Sequence, residues 1–203
     1  MSNSTIANSS TLEKEYNIVI TGVGGQGTIL TSKILAHLAM NAGLDVKQSE
    51  VHGMSQRGGT VISMVRFGKK IHSPLVMKGD ADLVLAFEIL EGARHLDYLR
   101  KDGLSVINRE TIHPSTVGAG LATYPENLEE SILKLRPETL FVNASQLAIQ
   151  AGNTRSANVV LLGALSRRLP FSREAWENAI KTLVPPKTLE VNLKAFSMGM
   201  ELK

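Results

Sequence analysis

The sequence predicts an α/β domain of three layers, α/β/α, built on a mixed, mostly parallel sheet with a helical C-terminal end. Three observations lead there. Short apolar runs alternate with amphipathic stretches from Asn17 to about residue 152, the pattern of strands followed by covering helices. The stretch "DADLVLAFE" (80–88) is a continuous apolar run bounded by charge, as a strand buried on both faces requires. Only the eight residues 52–59 separate a strand expected at 46–51 from one at 60–67. A parallel crossover needs a dozen or more, so these two strands cannot be parallel neighbours joined through a helix.

The elements follow in order. Residues 1–14, rich in Ser and Asn, read as a disordered tail, and residues 15–203 as one domain. "NIVIT" (17–21) is a buried strand, and Leu30, Ile34, Leu35 and Leu38 mark one face of a helix ending near Asn41 and Gly43. After the strands at 46–51 and 60–67, "FGKKIHSP" suggests a hairpin turn into a short strand at 71–76. A helix is expected over about 90–100, closed by "KDG". Then come strand "LSVINR", strand "LATYP", helix "NLEESILKLR", strand "TLFVNA" and helix "SQLAIQAG". The last fifty residues read as three helices, "SANVVLLGALSRRL", "SREAWENAIKTLV" and "TLEVNLKAFSMGMEL". In the last, Phe196, Met198 and Met200 are assigned to core, with a partner interface as the other use.

Composition excludes several functions. Cysteine is absent, which removes disulfides, thiolate catalysis, cysteine zinc sites and cysteine-ligated iron–sulfur clusters. A net charge of +3 with scattered Lys and Arg, and 4% aromatic residues, gives no footprint for nucleic acid. No apolar run is long enough to span a membrane and no signal peptide is visible, so a cytoplasmic location is expected. His37, His72, His95 and His113 lack ligand spacing, and no metal site is expected.

Two loops carry the candidate site. In "GVGGQGTILTSK" (22–33), Gly22, Gly24 and Gly27 satisfy G-x-G-x-x-G between a strand and a helix. That context lets backbone amides approach an anion at the helix N-terminus. Glu50 stands near the place where a dinucleotide fold keeps its ribose-binding acid. Thr28 replaces the lysine of a triphosphate-binding loop, which argues against nucleotide hydrolysis. Glycines that merely permit tight packing are the competing reading; Gly25 and the amide of Gln26 favour a ligand. The second loop, "EVHGMSQRGG" (50–59), gathers His52, Ser55, Gln56 and Arg57 before Gly58 and Gly59. It should face the first loop across the sheet edge, where Arg57 could clamp a phosphate or carboxylate. Arg57 spoils the nucleophile elbow G-x-S-x-G, so a serine hydrolase is improbable. Glu88, at the end of a buried strand, is a lesser candidate for a polar role. In "KGDAD" (78–82) Ala81 replaces the second glycine of the thiamine signature and only Asn108 follows, so this chain does not hold thiamine diphosphate itself.

"GVGGQGTILTSKILA", "SEVHGMSQRGGTV" and "KGDADLVLAFE", with "SANVVLLGAL" and "PPKTLEVNLKAF" near the end, resemble the γ-type domain of 2-oxoacid:ferredoxin oxidoreductases from about residue 15 onward. The "VHGMSQ" segment resembles the indolepyruvate branch. The resemblance implies a heteromeric enzyme that oxidatively decarboxylates aryl pyruvates, transfers the acyl group to coenzyme A and reduces ferredoxin. It implies a larger α subunit carrying thiamine diphosphate, magnesium and 4Fe–4S clusters, with ferredoxin engaging that subunit. It assigns Gly22, Gly24, Gly25, Gln26, Gly27, Ser55, Gln56, Arg57, Gly58 and Gly59 to binding, coenzyme A being the co-substrate, and names no catalytic residue. The alternatives are a subunit acting on pyruvate or 2-oxoglutarate, a stand-alone NAD-binding protein, and a non-catalytic scaffold.

Overall fold

The computed structural model describes residues 14–53 and 59–202. The expected tail lies outside them except for Lys14. Strands β1 (Tyr16–Val23), β2 (Asp45–His52), β3 (Thr60–Gly68), β4 (Ala81–Ala86), β5 (Leu99–Asn108) and β6 (Leu140–Val142) form one sheet in the order β2-β3-β1-β4-β5-β6. β1, β4, β5 and β6 are parallel, while β3 is antiparallel to both β2 and β1. The sheet is therefore mixed, as the eight-residue gap required. β1 and β2 point the same way with β3 between them.

Helices α1 (Thr28–Asn41), α5 (Ala144–Ala151), α6 (Ala157–Ser166), α7 (Arg173–Leu183) and α8 (Leu189–Met200) cover one face. α2 (Ile89–His95) and α4 (Leu128–Leu135) cover the other, and α3 (Ser115–Gly118) is a single turn. Ile18 and Ile20 of β1 enter the first core, with Leu35, Phe67, Trp176 and Phe196. Val19 faces the opposite way, against Met64 and Val84. Burial on both faces explains why β1 and β4 read as unbroken apolar runs. Helix α6 is buried on every side and packs on α8 through Gly163 and Gly199. A Cβ at Gly163 would strike the Phe196 carbonyl, and one at Gly199 the Val160 carbonyl. Phe196 is fully buried and Met198 and Met200 pack against the same core, so the core assignment holds.

Three expected elements differ. No strand forms at 71–76. Pro74 lacks a donor, and side chains pin the segment instead: Asp45 accepts from Ile71 N (2.9 Å) and Arg66 donates to the carbonyls of Ser73 (3.0 Å) and Leu75 (3.2 Å). No strand forms at "LATYP", which runs as bends and irregular backbone between α3 and α4. The helix expected over 90–100 ends at His95, turns once as a 3-10 helix over Leu96–Tyr98, and gives way to β5 at Leu99. "KDG" thus lies inside β5, where Gly103 fits closely against Leu99 and the Ala81 carbonyl. Among the described residues no helix is long and apolar enough to cross a membrane.

Candidate functional site

The glycine loop joins β1 to α1 at the edge where the parallel strands end. Gly22 presses on Phe87, whose Cβ would lie 2.9 Å from any Cβ added there. Gly25 (φ 100°) and Gly27 (φ 89°) are left-handed, a conformation that favours glycine. Gly25 forms an exposed crest with open space beside it, and Gly27 begins α1 with no capping side chain. Gln26 is used internally: its Oε1 accepts from Val23 N (2.7 Å) and its Nε2 donates to the Phe87 carbonyl (3.1 Å). The amide expected to meet a ligand therefore fastens the loop to the end of β4.

Of the second loop, Ser55, Gln56, Arg57 and Gly58 lie outside the described residues. Its flanks are tied down. Gly53 N donates to the Thr60 carbonyl (2.9 Å) and Gly24 N to the Gly59 carbonyl (3.0 Å). The two loops thus start from one sheet edge, as the parallel course of β1 and β2 predicts. Beside them His52, Gly24, Gly25, Thr28, Ile29 and Val61 line a hollow of about 350 Å³. Glu50 faces α1, accepting from Ser32 Oγ and Gln48 Nε2 at 3.3 Å each. With β3 intervening, Glu50 does not occupy the position of a ribose-binding acid. Glu88 is a structural group. Its Oε2 caps α2 by accepting from Glu91 N (2.8 Å), and its Oε1 accepts from Tyr124 Oη (2.6 Å) and Ile112 N (3.3 Å). Burial, then the Glu88 carboxylate, pushes the Tyr124 phenol well above its ordinary pKa.

A larger cleft, about 600 Å³, opens on the other side of the glycine loop. Gly25, Gln26, Gly27 and Leu30 form one wall, Asn108 and Glu110 the end of β5, and Ser145, Arg155 and Asn158 the far side. Asn108 is committed to architecture, donating to the Phe87 carbonyl (3.2 Å) and accepting from Ala144 N (3.0 Å). Ser145 Oγ donates to Glu110 Oε2. Asn158, 4% exposed, accepts from Val159 N (2.9 Å) through Oδ1, while its Nδ2 has no hydrogen-bond partner among the described residues. Arg155 is exposed, and its guanidinium likewise pairs with nothing described. Sequence reading passed over Glu110, Ser145, Arg155 and Asn158. The one visible signal was a polar Asn158 opening the otherwise apolar "VVLLGAL".

Residues 17–202 match the family described as pyruvate ferredoxin/flavodoxin oxidoreductase. The chain belongs to this family. It is similar to indolepyruvate oxidoreductase subunit IorB of Thermococcus kodakarensis, 46% identical over 195 residues, covering 93% of this chain and 96% of that one. It also resembles the gamma subunit of a keto/oxoacid ferredoxin oxidoreductase from Geobacter sulfurreducens, with 28% identity, a TM-score of 0.67 and coverage of 92% and 96%. A 2-oxoglutarate:ferredoxin oxidoreductase of Magnetococcus marinus, solved with 2-oxoglutarate, coenzyme A and succinyl-CoA bound, shares the fold at 22% identity and a TM-score of 0.68. The match covers 93% of this chain and 31% of that one.

As a member of the pyruvate ferredoxin/flavodoxin oxidoreductase family, the chain is an oxidoreductase subunit that works with a partner. Its sequence supplies no cysteine to ligate a cluster, and among the described residues no group of three or more His, Asp or Glu is placed to hold a metal ion.

Proposed function

We propose that this chain is the cluster-free small subunit of an indolepyruvate-type, aryl 2-oxoacid:ferredoxin oxidoreductase. In the overall reaction an arylpyruvate loses CO2, its acyl carbon joins the sulfur of coenzyme A, and two electrons pass to ferredoxin. Thiamine diphosphate, magnesium and 4Fe–4S clusters are assigned to the larger α subunit, which also meets ferredoxin. The role of this chain is to bind coenzyme A and to complete the interface at the active site. The likeness to an indolepyruvate oxidoreductase subunit over nearly the whole length supports the substrate class. The observation that carries the binding role is the hydrogen bond from Gly24 N to the Gly59 carbonyl. It brings the base of the Ser55-Gln56-Arg57-Gly58-Gly59 loop against the glycine loop. Fixed amides and an always-charged guanidinium suit the phosphates of coenzyme A.

Reconstitution with the larger subunit tests this. Arg57→Ala should raise the coenzyme A KM by about tenfold or more, the loss of a charge-assisted hydrogen bond, with the arylpyruvate KM unchanged. A variant that keeps its coenzyme A dependence but loses turnover or arylpyruvate affinity would move Arg57 to the thiamine side of the enzyme. Preference for pyruvate or 2-oxoglutarate over arylpyruvates would replace the substrate class.

A further inference from the structure

We infer that strand β2 is a docking edge for a second copy of this chain, the two β2 strands pairing antiparallel about a two-fold axis at Ser49 to form one continuous sheet. The sheet ends in β2 on one side and in β6 on the other. β6 is three residues long and offers little edge to pair. β2 is eight residues long, runs in unbroken register with β3 and contains no proline. Which of its backbone groups face outward follows from one hydrogen bond. Gly53 N donates to the Thr60 carbonyl (2.9 Å), in the same register that sets Val51 opposite Ile62. Bonded and non-bonded pairs alternate along an antiparallel ladder. Val51, Ser49, Lys47 and Asp45 therefore bond to β3, while Val46, Gln48, Glu50 and His52 turn their N–H and C=O groups away from it. Among the described residues no backbone group receives them. Proline, a bulge or a free charge normally guards such an edge. Here Lys47 is tied to Asp45 (3.0 Å) instead.

The flanks of this edge point independently to a protein surface. Ser32 of α1 accepts from Gln48 Nε2 (2.7 Å) and donates to Glu50 Oε1 (3.3 Å), which fixes the side of the helix that lies nearest β2. With about 3.6 residues per turn, Ala36, Ile29 and Met40 come next round the helix, away from the core. Ile29 and Met40 are exposed, Met40 to 64%. On the opposite face of the sheet Val51 is 55% exposed. Apolar side chains thus line both sides of the unpaired backbone. A second copy answers each of these features. A two-fold axis at Ser49 sets Gln48 opposite Glu50 of the second copy and Val46 opposite its His52, so all four outward residues of each strand gain ladder bonds. An axis at Gln48 or Glu50 leaves some of them unpaired. Opposite residues share a face, so the Gln48 amide meets a carboxylate and the Lys47 stem covers the exposed Val51 of the second copy. No like charges stand directly opposite. The same axis lays the two α1 helices antiparallel along the seam, where Ile29 and Met40 lose their contact with water. Lys33, on that flank and without an ion-pair partner among the described residues, is the cation available to Glu50 of the second copy.

The test is sedimentation velocity of the full chain over a concentration series, with amide hydrogen exchange as the second readout. The chain should sediment as a dimer at high concentration and dissociate on dilution. Gln48→Pro removes one outward N–H and keeps the ladder to β3, a position at which an edge strand tolerates proline. Met40→Glu puts a charge on an exposed position of the seam. Each should weaken the dimer by about tenfold or more and leave the circular dichroism spectrum of the chain unchanged. In the dimer the amides of Val46, Gln48, Glu50 and His52 should be protected. In the dilute monomer these should exchange fast, while those of Lys47, Ser49 and Val51 stay slow in both. A chain that is monomeric at every concentration overturns the inference. So does a dimer that both variants leave intact, or one whose outward amides exchange fast. If those amides become protected only when the larger subunit is added to a monomeric chain, the edge belongs to that subunit: the second copy falls and the proposed function stands.

Discussion

Gln26 looks like a ligand-facing amide in the sequence and proves to be a fastener. Its two hydrogen bonds hold the glycine loop onto Val23 and Phe87. Gln26→Ala should cost roughly 1–3 kcal/mol in urea unfolding, two bonds at their usual net worth. Gly25 is legible as a special residue because its φ of 100° is one that other residues rarely adopt. For the same reason Gly25→Val would strain the backbone as well as block a ligand, so Arg57 is the cleaner probe. The cleft residues were not legible. Arg155, Asn158, Ser145 and Glu110 come from separate segments, and nothing in their spacing announces that one cavity collects them. Asp45 shows residue chemistry of another kind. The Ile71 N–H and then the Lys47 ammonium hold its carboxyl below the ordinary 3.8. A depressed folded pKa contributes stability above the unfolded value and loses it as pH falls through the folded one. The urea midpoint should therefore drop below about pH 4, and Asp45→Asn should show a shallower drop over that window.

Among the elements, the α6–α8 pair leaves least room for change. Gly163 and Gly199 let two helix backbones meet where any Cβ would hit a carbonyl oxygen. Gly199→Ala should destabilise by about 2–3 kcal/mol or more, the cost of overpacking where backbone has to move. In thermal unfolding this should appear as a loss of at least about 5 °C. Both helices were legible from length and periodicity, because ten or more residues of consistent pattern outweigh local ambiguity. The misread segments were short. "IHSPLV" and "LATYP" carry strand-like residues, but over five or six positions such a pattern does not decide between strand and loop. The loop before β4 is held by side-chain anchors from Arg66 and Asp45 instead. The early end of α2 leaves Leu99 to begin β5, within which Gly103 fits closely against the Ala81 carbonyl of β4, a contact that local sequence does not encode.

At the scale of the molecule, the mixed sheet was readable from one distance along the chain, the eight residues between two strands, since no helix fits that span. Dependence on a partner was readable from what the chain lacks, above all cysteine. The purified chain should show no 2-oxoacid-dependent dye reduction. Adding it to the larger subunit should make arylpyruvate- and coenzyme A-dependent reduction of ferredoxin or a viologen possible. Full activity of the larger subunit by itself would contradict this.

The position of β1 also governs how the protein is made. β1 leaves the ribosome first, but its ladder partners begin only at Thr60 and Ala81. At 5–20 residues per second, the interval between finishing Val23 and finishing Ala86 is about 3–13 s. For that time Ile18, Val19 and Ile20, which are wholly buried in the finished protein, have an unsatisfied edge and are exposed to wrong pairings. The antiparallel β3 shortens the hazard. Emerging nineteen residues ahead of the end of parallel β4, at Phe67 against Ala86, it gives the nascent β1 its first partner and carries β2 in with it as a ready-made hairpin.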